Sequence, residues 1–218
     1  MSSKTMGHDA IEAEGLADWC TLSSALHARF RTGDFATGLR LVNEIGAEAE
    51  AMNHHPDLDL RYPHLDVRLM SHDKGGVTDR DVRLARRISE LAAAEGISSD
   101  RSAVTLVELG LDSWDWPAIR PFWAALLGLP EGGDGDHWVV DPAGSLPDLW
   151  FQGTDPHDEP RQRFHYDVWV APEVAADRIA AALAAGGVLV SDAEAPSVTV
   201  LADAQGNKAC VCTSQDRN

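Results

Sequence analysis

A helical period that has to stop, followed closely by a strand period, constrains this chain more than any other feature. Phe35, Leu39, Val42, Ile45, Ala49 and Met52 recur every three or four residues, the spacing of one helix face. Asp34 precedes them and is a suitable N-cap, because its carboxylate can accept free amide hydrogens of the first turn. Pro56 ends the pattern, since proline disfavours helical backbone at the residue before it. The helix must therefore unwind near Asn53, and His54 and His55 are held at that point. Leu65, Val67 and Leu69 then alternate with Asp66, Arg68 and Met70, a strand with one apolar face. His72 follows the strand and Gly75-Gly76 makes a turn. Thr78-x-x-Asp81 has the spacing of a capping box, opening a helix through Val82, Ala85, Ile88 and Leu91 that Gly96 can stop.

Four of the nine histidines fall between Glu50 and Asp81, at the ends of elements where side chains can converge. Glu50 lies one turn before His54 and shares its helix face. Imidazoles beside acids suit proton transfer near neutral pH. Metal binding is the rival reading, since imidazole is a common zinc ligand. Adjacent histidines point in different directions, however, which makes joint chelation by His54 and His55 awkward. Taken singly, each of these residues has a structural reading: Asp81 as a cap, Glu50 as a solvated helix acid, a lone histidine as a hydrogen-bonded surface group.

The charge balance narrows the partners. Eighteen Lys and Arg stand against 35 Asp and Glu, a net −17, and both the first hundred residues and the remainder are acidic. A phosphate-tracking nucleic-acid binder and an anionic membrane surface are both disfavoured. Three cysteines, Cys20, Cys210 and Cys212, are too few for a disulfide framework. Cys210-Val211-Cys212 lacks the two-residue spacer of a zinc knuckle. No apolar run approaches the ~20 residues that span a bilayer, and the N-terminus lacks a signal core, so the expected compartment is the cytoplasm.

Glu50-x-x-x-His54-His55-Pro56, then Tyr62, then Val67-x-Leu69-x-x-His72-Asp73-x-Gly75-Gly76-Val77-Thr78-x-x-Asp81-x-x-Leu84-Ala85, with Phe30-x-x-x-Asp34-Phe35 upstream, resembles the pterin-4a-carbinolamine dehydratase family. The resemblance covers about residues 17–95. It implies an α+β domain over 17–97: a four-stranded antiparallel sheet with helices on one face, assembled as a homodimer or homotetramer. Residues 1–16 are expected to be a flexible tail, and 97–101 a polar linker. The implied reaction is dehydration of 4a-hydroxytetrahydropterin to quinonoid dihydropterin, as in tetrahydropterin recycling, with no metal or organic cofactor. Carried over by position, His54, His55 and His72 are the implied catalytic residues. His54 and His72 would move protons, and His55 would hold the hydroxyl or the ring. Glu50, Asp81 and Asp73 would bind substrate, with Glu50 and Asp81 able instead to orient imidazoles.

The second half repeats an order of strand, helix and strands. Val104–Asp112 reads as a strand, and Asp115 with Pro117 starts a helix that ends at Gly128. Short strands follow at 137–140 and 149–152, then a loop over 153–162. Phe164–Val170 is a strand, Pro172 opens an Ala-rich helix, and strands follow at 188–190, 198–202 and 209–213, with a turn at 203–207. Phe122-Trp123-x-x-x-Leu127-Gly128, His165-Tyr166-Asp167-Val168 and Asp203-x-x-Gly206-Asn207 resemble the glyoxalase/bleomycin-resistance/dioxygenase superfamily. This implies a vicinal-oxygen-chelate-like domain of paired βαβββ units over 103–214. Metal-dependent members take a His from the first strand, a His from the middle strand and a Glu from the last. Here His165 fits the middle position, the first strand has Val107-Glu108, and Cys210 stands near the place of the last acid, so no metal site is expected. Six of the seven Trp lie beyond residue 113, either as core or as a pocket for a planar ring. Two other functions remain open: a small-molecule binding or resistance protein acting through this second domain, and a non-enzymatic dimerisation or coactivator partner.

Overall fold

A computed structural model describes residues 4–127, 129–130, 137–156, 164–184, 186–202 and 208–217. The chain divides into two units. The first holds Met1–Thr105 with Val170–Val174 and Thr213–Asn218, the second Leu106–Trp169 with Ala175–Cys212.

The first unit is α+β. Its elements run α1 (His8–Glu12), β1 (Cys20–Leu22), β2 (Ala25–Arg31), α2 (Phe35–Met52), β3 (Asp57–Arg61), β4 (His64–Leu69), α3 (Asp79–Ala94) and β5 (Ser98–Ser99). The sheet order is β1-β2-β4-β3, every pair antiparallel, with β5 joining β2 through Phe30 and Arg31. Period-two alternation sends Leu26, Ala28 and Phe30 of β2 and Leu65, Val67 and Leu69 of β4 to one face. There they pack in one core with Leu41 and Ile45 of α2 and with Val82, Ala85 and Ile88 of α3. The opposite face is polar, and Arg29 grips Asp66 with two bonds of 2.6 Å.

Helix α2 has the bounds that its caps require. Asp34 Oδ1 accepts the Thr37 amide at 2.7 Å, and Asn53 closes the helix in the left-handed region at φ 47°. The buried stripe runs through Gly38, Leu41, Ile45 and Ala49, whereas Phe35 and Leu39 are half-exposed. The apolar period therefore overreached at its start: one turn of drift takes these two side chains off the sheet-facing side. Gly38 sits where Leu60 of β3 approaches; a Cβ there would lie 2.5 Å from Leu60 Cδ1.

Two expectations are corrected. The N-terminal segment is not a tail from Lys4 onward: α1 buries Ile11 in the core, and the Met6 amide donates to the Val77 carbonyl at 2.8 Å. Residues 97–101 are not a linker either. Ile97 is buried, β5 makes the sheet five-stranded rather than four-stranded, and Ser99 Oγ donates to Asp18 Oδ1 at 2.6 Å.

The second unit contains β6 (Thr105–Ser113), α4 (Trp116–Leu127), β7 (Trp138–Val139), β8 (Leu149–Gly153), β9 (Phe164–Val170), α5 (Pro172–Ala184), β10 (Val188–Glu194), β11 (Val198–Ala202) and β12 (Lys208–Cys212). The sheet order is β10-β11-β12-β9-β6-β8-β7. Each repeat begins with a strand that joins a later strand of its own half in parallel: β6 pairs with β8, and β9 with β12. Such parallel neighbours need a crossover, which α4 and α5 supply. Among the described residues the first repeat shows βαββ and the second βαβββ. Leu111, Leu149, Phe151, Val139 and Ala124 form a core on one sheet face. The expected helix end at Gly128 and turn at 203–207, the loop from 157, and the side chains of Phe122 and Leu127 lie outside the described residues.

Candidate active site

The site forms where α2 ends. Asn53, in the left-handed conformation, turns the chain out of the helix, and the His54 amide donates back to the Ala49 carbonyl at 3.1 Å. This carries His54 inward. Its side chain is 8% exposed, and Nε2 lies 2.7 Å from Oδ1 of Asp81, which is fully buried. His54 therefore pairs with an acid on α3, not with Glu50 one turn back as the helical spacing suggested. The helix has ended before His54, so the i−4 relation is lost.

Asp81 is the most heavily bonded acid of the region. Its Oδ2 accepts the Thr78 amide at 2.7 Å, the Ser71 hydroxyl at 2.7 Å and the Thr78 hydroxyl at 3.1 Å. The capping box expected from Thr78-x-x-Asp81 is present, and its acid also holds the histidine. All three partners on Oδ2 are donors, so the carboxyl acts there as an acceptor. With Asp81 as a carboxylate, Oδ1 accepts the Nε2–H of His54, and Nδ1 is then the imidazole nitrogen without a hydrogen. Asp81 is expected to bind substrate or to orient an imidazole; its side chain is fully buried and lies against His54.

His55 turns the other way. Its Nε2 lies 3.1 Å from Glu50 Oε1, with the two side chains 57% and 81% exposed. Glu50, too, is an imidazole partner in this structure. His72 is exposed in the turn that links β4 to α3, closed by the Ser71 amide on the Gly76 carbonyl at 3.1 Å. Asp73, in the same turn, accepts Arg80 Nη2 at 2.5 Å, and that bond holds its carboxyl below the usual carboxylate range. The structure thus joins His54 to Asp81, His55 to Glu50 and Asp73 to Arg80. His72 itself is exposed; its chain neighbour Ser71, not its own side chain, bonds Asp81.

Ser71, Thr78 and Arg80 take part in the site without having been named as site residues from sequence. Ser71 bridges Thr78 Oγ1 at 2.8 Å and Asp81 Oδ2. Thr78 had a visible signal as a helix cap, whereas Ser71 and Arg80 had none beyond their nearness to His72. The arrangement is a buried histidine with one nitrogen held by a fully satisfied acid, while the imidazoles of His55 and His72 are exposed. Chemically it can take up and release protons at a ligand that reaches the end of α2.

Comparison with known proteins agrees with both resemblances. The family described as pterin 4 alpha carbinolamine dehydratase matches residues 4–91, and the glyoxalase-like domain matches residues 108–212. A Koribacter versatilis protein named "Putative pterin-4-alpha-carbinolamine dehydratase" is 34% identical over 91 residues, covering 41% of this chain and 97% of its own. A protein of the same name from Aquifex aeolicus is 39% identical over 80 residues, 37% of this chain and 81% of its own. A crystal structure titled transcriptional coactivator/pterin dehydratase from Brucella melitensis aligns with 41% of this chain and 99% of its own, at 26% identity and a TM-score of 0.40.

Proposed function

We propose a function from one premise: this chain belongs to the pterin 4 alpha carbinolamine dehydratase family through its first unit, with a glyoxalase-like domain following it. The proposed reaction is dehydration of a 4a-hydroxytetrahydropterin to the quinonoid dihydropterin and water. The C4a–O bond breaks, the N5–H proton departs, and the electron pair left on N5 forms the C4a=N5 double bond. The departing hydroxide takes a proton and leaves as water. The observation that carries this reading is the buried His54–Asp81 pair, because a fixed tautomer supplies a base at one defined nitrogen.

In this reading His54 Nδ1 takes the N5 proton, His72 protonates the departing hydroxyl, and His55, held by Glu50, holds that hydroxyl or the ring. Asp73 contacts the ligand from the turn. The first unit carries the activity, and the chain assembles as a homodimer or homotetramer, to be read by light scattering. The test is stopped-flow dehydration of freshly generated 4a-hydroxytetrahydropterin. Wild type should exceed the spontaneous rate, and His54→Ala should lose about 10²–10⁴ of the acceleration. A wild-type rate equal to that in buffer rejects the reading.

No helix among the described residues is long and apolar enough to cross a membrane.

A further inference from the structure

Period-two alternation places a second group of chemically active side chains on one face of the second unit's sheet. Glu108, Gly110 and Asp112 belong to β6, His165, Asp167 and Trp169 to β9, and the strand register sets Cys210 of β12 beside Asp167 and Trp150 of β8 beside Gly110. The core residues Leu111, Leu149 and Phe151 share a cluster with α4 on the other face.

His165 is seated by what Gly110 lacks. A Cβ at position 110 would lie 2.3 Å from Cε1 and 2.5 Å from Nε2 of the imidazole, so the ring occupies the space of a missing side chain. Nε2 lies 3.4 Å from Asp167 Oδ1, and Nδ1 lies 3.9 Å from Asp112 Oδ1. The other oxygen of Asp167, Oδ2, accepts the Trp150 indole N–H at 2.9 Å. The side chains of His165 and Asp167 are 14% and 11% exposed. One donor atom from each of His165, Asp167 and Cys210 falls within 4.8 Å of the others.

We propose that His165, Asp167 and Cys210 form a zinc site with three protein ligands, in which Asp112 orients His165 from behind. Zinc holds nitrogen, oxygen and sulfur donors about 2.0–2.3 Å from the ion, hence roughly 3.5 Å from one another. The present spacing reaches that by side-chain rotation of about an ångström. A thiolate with an imidazole selects zinc over calcium or magnesium, which take oxygen ligands. Two of the three ligands also have a neighbour of the kind that metal ligands use: an indole N–H on the second oxygen of Asp167, and a carboxylate 3.9 Å from Nδ1 of His165. Three ligands leave a fourth position open to water or a small ligand.

This donor set differs from the one that the superfamily resemblance implies. His165 and Cys210 stand at the middle-strand and last-strand positions of that set; Asp167, two residues after His165, takes the place of a first-strand ligand, where β6 has Val107-Glu108. It also departs from the expectation of no metal site, because Asp167 and Cys210 become neighbours only through the pairing of β9 with β12.

The test uses the full chain, reduced and stripped of metal with a chelator, then titrated with Co²⁺ and with Zn²⁺ against a chromogenic chelator. Wild type should take one ion per chain and show thiolate-to-cobalt charge-transfer absorption. Cys210→Ser should lose that absorption while Cys212→Ser retains it. Asp167→Asn should weaken binding at least as much as Asp112→Asn, for which about 10–100-fold is expected. Circular dichroism confirms that each variant is folded, and Asp167→Asn provides an independent arm should Cys210→Ser not fold. Cobalt bound without a thiolate band, affinity unchanged in both Cys210→Ser and Asp167→Asn, or no binding by folded wild type each overturns the proposal.

Discussion

Asp81→Asn separates the two roles of the buried acid. The carboxylate takes three donors on Oδ2 and the His54 Nε2–H on Oδ1. An asparagine has one oxygen, and three donors compete for it, so that oxygen settles on the Oδ2 side. Its NH₂ then faces His54 Nε2 at the 2.7 Å contact. Nε2 has to become an acceptor, the proton moves to Nδ1, and the nitrogen that was bare is capped. Losing one buried hydrogen bond to a charged group costs about 1.5–3 kcal/mol, and weakening a helix cap adds about 1 kcal/mol. For a unit of this size a destabilisation of about 2.5–4 kcal/mol lowers Tm by roughly 10–30 °C. Turnover, measured well below that Tm, should fall about 10²–10⁴-fold, because the folded enzyme now carries the wrong tautomer. The ¹⁵N shifts of the His54 ring report the tautomer directly, which a purely structural role for Asp81 would leave unchanged. A folded variant with wild-type turnover and Nδ1 still unprotonated would refute the mechanism.

Burial, with the Arg68 charge as a second cause, pushes His27 down from 6.5 to about 4. The unfolded chain therefore binds the proton first as pH falls, so stability should decline between pH 6.5 and about 4, by on the order of 3 kcal/mol. Urea midpoints across that range check this, and His27→Leu should remove that part of the slope. Glu50→Gln should leave stability within about 0.5 kcal/mol, since both it and His55 are exposed, yet lower turnover by loosening His55. Gly110→Ala should cost about 1–3 kcal/mol in thermal or urea unfolding, because its Cβ would meet the His165 ring at 2.3 Å. Ile88→Ala, at a fully buried position of α3, should cost about 2–5 kcal/mol by the same measurement.

How much of this was legible in the sequence depends on how far apart the interacting residues are. The bounds of α2 follow from Asp34 and Pro56, and the start of α3 from Thr78-x-x-Asp81, because caps and breakers act within one turn. The α+β class and its pterin-dehydratase motif were legible for the same reason: the motif is a string of local turns and ends. The partner of His54 was not. Glu50 stood at the right helical spacing, but Asn53 leaves the helix before His54, and the imidazole swings to an acid 27 residues away. Helix α1 and strand β5 were missed because five and two residues are too few to show a period. What holds them is a single buried side chain and a backbone ladder, which leave no repeating pattern.

The same reasoning explains why the two clusters of this chain differ in visibility. The His54–Asp81 pair joins the end of α2 to the start of α3 across β3 and β4, and the local caps and turns around each residue keep their order in the sequence. The His165–Asp167–Cys210 cluster is assembled from β9 and β12, which α5, β10 and β11 separate. Its parts look ordinary in one dimension: a histidine and an aspartate on alternate strand positions, a glycine in a strand, a cysteine near the end of the chain. Parallel pairing turns them into neighbours, and the glycine then has a reason, since any side chain there would displace the imidazole. A glycine in the middle of β6 is unfavourable for the strand by itself. Its presence under a histidine that two carboxylates flank ties that local cost to the position of the ring, and gives the cluster a physical test that does not depend on the chemistry of the first unit.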